Sequence, residues 1–246
     1  MLRLGDTDVR PAHRGEFRVL VAARSAGLGQ LRGYLAADLL RRYSERAGLA
    51  PTVIDLRPDG EPGLRGACGL LNIHPPRHTM SEPFGAGQLA AEFADGVREP
   101  VFDVGVREAG DGAGSVVEGL AGHWLEVTPD GEAVEVGEEP LDVRMNLLRQ
   151  GYRGGPAGDL SRRDGELARW RELVAGWARS PSGAMSRRHA DAIAAAFADG
   201  LDTAAALRVL AGLAGDDSVP DGVKFETFAA ADRLFGLDLA RDVGRV

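Results

Sequence analysis

Small residues and an arginine form the segment best suited to bind a charged ligand. An apolar run over 17–22 is followed by a turn of small residues over 25–29, which contains Gly27 and Gly29, and then by Gln30 and Arg32 where a helical pattern begins. The first turn of a helix presents backbone N–H groups without intrahelical partners, and the helix dipole adds to their attraction for phosphate. Gly29 allows a close approach of the backbone, Gln30 can donate a hydrogen bond, and arginine clamps phosphate well. These residue types therefore suit the binding of an anionic group.

The same segment does not match the dinucleotide-binding fingerprint, which requires a further glycine after the first two. Arg32 occupies that last glycine position. No Ser-His-Asp combination is singled out by its spacing, so the sequence identifies no catalytic residue. Asp38 is a candidate functional acid within the predicted helix, although a carboxylate on a helix face is usually solvated.

The metal-ligating side chains are too few and too scattered for a zinc site. Cys68 is the only cysteine, which excludes an internal disulfide and any multi-cysteine zinc site, and it is expected to be a small buried residue. His74 and His78 have helical i, i+4 spacing, but Pro75 and Pro76 prevent the helix that would align them. We therefore expect no metal.

Charge and composition narrow the function classes. The chain of 246 residues has a formal net charge of −8 and one lysine, Lys224, which disfavours a broad nucleic-acid surface. Its hydrophobic fraction of 44% and charged fraction of 27% are typical of a soluble globular protein. No segment has the roughly 18 consecutive apolar residues of a membrane span, and the N-terminus lacks the apolar run of a signal peptide. The sequence predicts a cytoplasmic protein.

The elements that must position these residues follow from apolar spacing. Strands are predicted over 17–22 and 52–56, with a helix from Leu31 to Gly48 between them. This βαβ order implies a parallel sheet. The middle of the chain is predicted as an extended segment over 71–76, a helix over 88–93, a strand over 101–104, a loop over 105–114, and a hairpin of 124–127 with 133–136 around an Asp-Gly turn.

From Pro140 onward the pattern is helical. Amphipathic helices are predicted over 160–178, 186–197, 203–213 and 225–235. Trp170 and Trp177, seven residues apart on the first of these, are expected in the core or as interface anchors; the alternative is an exposed face for a partner helix. The predicted fold class is α/β, a Rossmann-like parallel-sheet domain followed by an α-helical bundle, with the boundary near residue 140.

Several segments, in the same order along the chain, resemble cysteinyl-tRNA synthetase and its sister family, the cysteine ligase of mycothiol synthesis. Residues 2–7 are similar to the family's LxLxDT, and 27–43 to its HxGHxxxYxxxDxLxRY. Further similar segments are 71–76 (LNxxPP), 145–153 (LLxxxYR), 160–171 (LxxAxxxLxRW), 199–207 (DDLxTPxAL) and 224–239. The resemblance implies a HUP-type nucleotide-binding domain over 1–140 with an insertion reduced to about 70–115, a connecting helical region over 141–180, and a helical bundle over 181–246 like the synthetase's C-terminal helical domain.

The resemblance also shows which catalytic elements this chain lacks. The two histidines of the HIGH signature align with Gly27 and Gln30. The resemblance therefore implies a vestigial nucleotide-binding site, whose candidate residues are Gly27, Gly29, Gln30 and Arg32. The lysine-rich KMSKS loop should follow the Trp124 segment, where residues 130–136 carry two glutamates instead. A like charge near a phosphate is repulsive in any dielectric. Met185 to Arg188 superficially resembles that loop, but it is better explained as a helix start with Ser186 as N-cap.

The family's zinc ligands are missing as well. The first ligand position falls near Ala22 or Ala23, and the segments for the others are shortened to 107–112. The leading hypothesis is therefore a degenerate, synthetase-like pseudoenzyme that binds a nucleotide, an aminoacyl ligand or a protein partner, with ATP as the candidate cofactor. The first alternative is an ATP-dependent ligase that forms an aminoacyl adenylate by using arginines. The second alternative is a non-catalytic tRNA-binding protein, which the net charge disfavours.

Overall fold

The computed structural model describes residues 2–11, 14–22, 28–56, 62–76, 78–79, 100–110, 118–128, 138–154, 160 and 163–245. The chain folds as two compact units. The first comprises Met1–Glu135 with Tyr152–Gly158, and the second comprises Val136–Gly151 with Asp159–Val246. The assignment of these units to the domains of a synthetase stays a prediction.

The first unit contains a parallel sheet, as the βαβ pattern predicts. Its described elements are β1 (Leu2–Leu4), β2 (Thr7–Val9), β3 (Glu16–Val21), α1 (Leu28–Arg46), β4 (Ala50–Asp55), α2 (Pro62–Leu70), β5 (His78–Thr79), β6 (Phe102–Glu108), a 3-10 turn (Glu118–Leu120) and β7 (Ala121–Val127). β1 and β2 form an antiparallel hairpin. The other five strands are parallel in the order β5-β4-β3-β6-β7. The α/β fold class is thus confirmed.

The sheet buries apolar side chains on both faces, as parallel sheets do. α1 packs on β3, β4 and β6. One cluster of buried side chains joins strands on both sides of β3 and includes Leu20, Ile54 and Phe102, with Trp124 packed against it. β3 is consequently buried over its last three residues, Val19 to Val21.

The loop prediction for 105–114 is wrong over its first four residues, since β6 continues to Glu108. Gly105 suggested a loop, but here it serves close packing. A Cβ built on Gly105 would lie 2.5 Å from Cε3 of Trp124, on the neighbouring strand β7. Residues 111–114 and the predicted second hairpin strand, 133–136, lie outside the described residues, as does the predicted helix over 88–93.

Helix α2 was not predicted, and the extended segment predicted over 71–76 begins with its C-terminal cap. Asn72 adopts a left-handed φ of 54°. The amide of Ile73 donates to the Cys68 carbonyl and that of Asn72 to the Gly69 carbonyl, which is the Schellman arrangement. Cys68 is buried, as expected.

The regular elements described in the second unit are five helices: α3 (Pro140–Gln150), α4 (Glu166–Trp177), α5 (Arg187–Ala198), α6 (Thr203–Ala214) and α7 (Asp221–Phe235). The helix predicted over 160–178 begins six residues late, after Gly165 with φ 75°. α5 follows Ser186 as expected, but the Ser186 hydroxyl bonds Nδ1 of His189 at 2.7 Å rather than a backbone amide. Asp202 caps α6 through the amide of Ala205.

Both tryptophans of α4 lie in the core of this unit. The rings of Trp170 and Trp177 make edge-to-face contacts with Phe228 of α7, at centroid distances of 5.5 and 5.1 Å. A second edge pair joins Phe197 to Phe235. Such pairs add to the burial of apolar area. Among the helices that the structure describes, none has both the length and the apolar character needed to cross a membrane.

Candidate functional site

The order of the strands defines where a ligand would bind. The chain runs from β3 to β4 and β5 on one side, and β6 and β7 are then added on the other side of β3. The sheet therefore has a topological switch point between β3 and β6. In open parallel sheets, ligands bind beside the carboxyl ends of the strands at this point.

The sequence-predicted site residues belong to the connection that starts at the switch point. β3 ends at Val21 and α1 begins at Leu28, so Gly29, Gln30 and Arg32 all lie in the first two turns of α1. Gly27 lies outside the described residues, and the side chain of Gln30 does too. The site assignment itself stays a prediction.

Arg32 makes an internal contact with the main chain. Its side chain is buried, with 1% exposure, and Nη1 donates a hydrogen bond of 2.6 Å to the Gly154 carbonyl. A guanidinium is always charged, and the Gly154 carbonyl is one of the groups that Arg32 contacts. The structure thus gives Arg32 a role within the first unit that its sequence position did not indicate.

Two carboxylates at the ends of strands were not singled out by sequence reasoning. Asp55 is the last residue of β4 and is 1% exposed, and the Tyr34 hydroxyl on α1 donates a hydrogen bond to its Oδ2. Glu108 is the last residue of β6 and is buried. An acidic residue closing an apolar strand is the available signal, because it places a carboxylate at the edge where ligands bind.

The strand register places both carboxylates on the same face of the sheet. Val21 pairs with Asp55 on one side and with Val106 on the other. Side chains two residues apart on a strand share a face, so Glu108 shares the face of Val106 and Asp55. α1 covers this face, as the Tyr34 contact demonstrates. At the carboxyl edge of the sheet, each of the two strands that neighbour β3 therefore ends in an acidic residue: Asp55 on β4 and Glu108 on β6.

Asp38 is not a solvated acid, which corrects the sequence interpretation. Its side chain is fully buried and forms ion pairs with Arg41 at 3.0 Å and Arg42 at 2.8 Å. Oδ1 also lies 3.5 Å from Nδ1 of His74. Arg42 in turn donates to the Asn72 carbonyl at 2.9 Å. This cluster ties α1 to the segment that follows α2, so its evident role is structural.

The structure also locates the other residues considered for metal or phosphate chemistry. Among the described residues, no three His, Cys, Asp or Glu side chains are grouped so that they could hold a metal ion. Ala22, near the first zinc-ligand position of the resemblance, donates its amide to Val106 at 2.8 Å. Lys224 belongs to the second unit, where it is buried with Nζ 3.4 Å from the Ala214 carbonyl and 5.4 Å from the Trp177 ring centroid.

Comparison with protein-family models finds no matching family, and no curated protein matches this chain. The relationship to cysteinyl-tRNA synthetase consequently remains a proposal.

Proposed function

We propose that this chain is a degenerate relative of cysteinyl-tRNA synthetase that binds a nucleotide or an aminoacyl nucleotide without activating an amino acid. The observation that carries this proposal is the strand order, which puts a switch point directly before Gly29, Gln30 and Arg32. A parallel sheet with this topology is a frequent scaffold for nucleotide binding. The ordered series of synthetase-like segments supports the same ligand class.

The charge of the site supports binding without catalysis. Adenylate formation develops negative charge on phosphates, which active sites neutralise with preorganised cations and donors. Here the chain carries Gly27 and Gln30 where the family has histidines, and its only lysine belongs to the second unit. Two buried carboxylates, Asp55 and Glu108, end the strands beside β3. Phosphate binding can draw on backbone amides at a helix start, but the chemical step would lack its usual cations.

Two measurements on the purified chain test this function. We expect calorimetry to detect binding of ATP or of a nonhydrolysable cysteinyl adenylate, and we expect no exchange of labelled pyrophosphate into ATP when cysteine is added. Robust cysteine-dependent exchange would show that the chain is an active ligase. Absence of binding by both nucleotides would contradict the nucleotide part of the proposal.

A further inference from the structure

A serine and a histidine are in contact where helix α5 begins in the second unit. The hydroxyl of Ser186 bonds Nδ1 of His189 at 2.7 Å. A serine that directly precedes a helix ordinarily accepts a hydrogen bond from an amide of the first turn, but Ser186 makes no such cap. Its hydroxyl is paired with an imidazole instead, and this pairing is the one that activates a serine for nucleophilic attack.

The backbone of Ser186 holds the residue in place. Its amide donates a hydrogen bond of 3.0 Å to Oγ1 of Thr227 on α7, and its carbonyl accepts a bond from the amide of Ala190. Thr227 is buried, with 1% exposure, whereas Ser186 is only partly buried. The hydroxyl is therefore fixed in position and still accessible to a substrate, as a reacting group must be.

The other groups that acyl transfer requires lie in the same turn. A neutral imidazole accepts a proton at one ring nitrogen and carries a hydrogen on the other. With the hydrogen on Nε2, Nδ1 of His189 can take the proton of Ser186. The amides of Arg187, Arg188 and His189 come before the first intrahelical bond, and amides at this place can donate to a developing oxyanion.

A carboxylate lies within electrostatic reach of the imidazole. Hydrogen bonds from Ser218 lower the pKa of Asp216, and the charges of Lys224 and His189 lower it further. Asp216 is therefore an anion at neutral pH. An anion near His189 stabilises the imidazolium that forms when the ring accepts a proton. Asp216 is thus a positioning residue that acts through His189.

We propose that Ser186 and His189 form an active site that hydrolyses carboxylic esters. Oγ of Ser186 attacks the carbonyl carbon while its proton passes to Nδ1 of His189. The tetrahedral intermediate then expels the alcohol, which takes that proton, and the acyl group stays on Ser186. Water attacks the acyl group as it gives a proton to Nδ1, and release of the carboxylic acid returns this proton to Ser186. This activity is independent of the proposed nucleotide binding, which belongs to the first unit.

A fluorophosphonate probe tests the wild-type protein, because it phosphonylates an activated serine with loss of fluoride. Cleavage after arginine yields one peptide, residues 180–187, that contains three serines. Ser180 and Ser182 are internal controls, since their hydroxyls bond carboxylates and not an imidazole. We expect mass spectrometry to find the adduct on Ser186 alone. An unmodified Ser186, or equal modification of the three serines, would overturn the proposal.

Hydrolysis of p-nitrophenyl acetate tests the chemical step, since formation of an acyl-enzyme releases p-nitrophenol in an initial burst. Ser186→Ala keeps the backbone bond to Thr227 and should abolish both the burst and the turnover. His189→Gln should slow turnover at least about 100-fold. Ser182→Ala is the matched control and should behave like the wild type. A burst that survives in Ser186→Ala, or wild-type turnover in His189→Gln, would overturn the site.

Asp216→Asn tests the positioning role with the same substrate. It should lower kcat several-fold and leave KM unchanged, because the imidazolium forms only after the ester has bound. Asp217→Asn changes the exposed neighbouring acid and should leave both constants unchanged. An equal loss of kcat in the two variants would show a general effect of charge and would remove Asp216 from the site.

Discussion

The ring of Trp124 lies against the α-carbon of Gly105, and no other residue type fits that space. A Cβ there would be 2.5 Å from Cε3 and 2.7 Å from Cη2 of the indole. The guanidinium of Arg107 also lies over the indole, with Cζ 5.2 Å from the ring centroid, and Arg107 pairs with Glu126 at 2.8 Å. Glycine is therefore required by packing at this position, not by backbone conformation.

Gly105→Ala should destabilise the first unit, because the added methyl forces the Trp124 ring to move. Overpacking of this kind costs about 1–3 kcal/mol. Urea unfolding followed by tryptophan fluorescence would measure it. Gly119→Ala is the matched control, since a Cβ there meets nothing within 4 Å. Equal effects of the two substitutions would contradict the packing argument.

Asp38 is a buried charge whose partners lie on its own helix and on the segment after α2. Arg41 and Arg42 are themselves largely covered, with side-chain exposures of 15% and 9%. A buried ion pair adds little net stability compared with apolar residues, but removing one partner leaves an uncompensated charge. The cluster is thus sensitive to the loss of its buried acid, Asp38.

Asp38→Asn keeps the side-chain volume but removes the charge that Arg41 and Arg42 share. We expect a loss of about 2 kcal/mol in the free energy of unfolding, less than for a fully buried pair because both arginines reach solvent. Glu45→Gln removes an exposed partner of Arg41 and should cost under about 0.5 kcal/mol. Denaturant titration would measure the free energy of unfolding of both variants. A smaller loss for Asp38→Asn than for Glu45→Gln would refute the structural role of Asp38.

At the scale of elements, the segment after α7 is held by hydrogen bonds to its backbone. Gly236 ends the helix with φ 66°, and Asp232 accepts the amides of Leu237 and Leu239 at 2.7 and 3.0 Å. Two buried arginines supply the donors for the carbonyls: Arg144 bonds Phe235, and Arg171 bonds Leu237 and Asp238. Backbone groups that the helix leaves without partners are satisfied in this way.

Glu139, which precedes α3, joins this arrangement through Arg171 at 3.3 Å and Arg241 at 2.8 Å. Burial alone would raise the pKa of Glu139, but the hydrogen bond from Arg241 and the charge of Arg171 outweigh it, so its pKa lies below the ordinary value of 4.5. At nearby Asp142, burial and the charge of Glu139 raise the pKa instead. The two acids therefore make opposite contributions to the pH dependence of stability.

A lowered pKa in the folded state stabilises the protein above the unfolded value, and this contribution is lost as the pH falls through the folded value. Glu139→Gln should thus cost about 1 kcal/mol at pH 7, after discounting for solvent screening, and the difference from wild type should close below pH 4.5. Asp142→Asn should instead raise the free energy of unfolding at pH 7, because the folded state raises the pKa of Asp142. This difference from the wild type should also disappear on acidification. Unfolding titrations across pH 3–7 would measure both, and a Glu139 effect that grows on acidification would contradict this account.

At the scale of the whole molecule, two compact units each contain their own core, one around the parallel sheet and one around the aromatic contacts of α4 and α7. The chain passes from the first unit to the second and returns once, for Tyr152–Gly158. This return brings Gly154 within reach of Arg32, although 122 residues separate them. The candidate site therefore depends on chain segments from both ends of the first unit.

The sequence by itself determined the elements whose signals are local. Apolar runs rich in β-branched residues located β3 and β4, and three- and four-residue spacing located α1, α6 and α7, because burying one face of an element imposes a period on its own residues. The candidate glycines before and at the start of α1 were likewise identified from neighbouring residues in the sequence alone. The relationship to a synthetase, by contrast, stays a prediction.

Only the tertiary structure decided the features that depend on distant neighbours. The strand order placed β6 beside β3 and so created the switch point. Gly105 belongs to a strand because Trp124 covers it, and Asp38 is buried because Arg42 and the segment after α2 enclose it. Arg32 is engaged by Gly154 rather than free for a ligand. Each of these features depends on a contact between residues that are distant in the sequence. The residues adjacent in the sequence do not indicate which distant residue will be in contact.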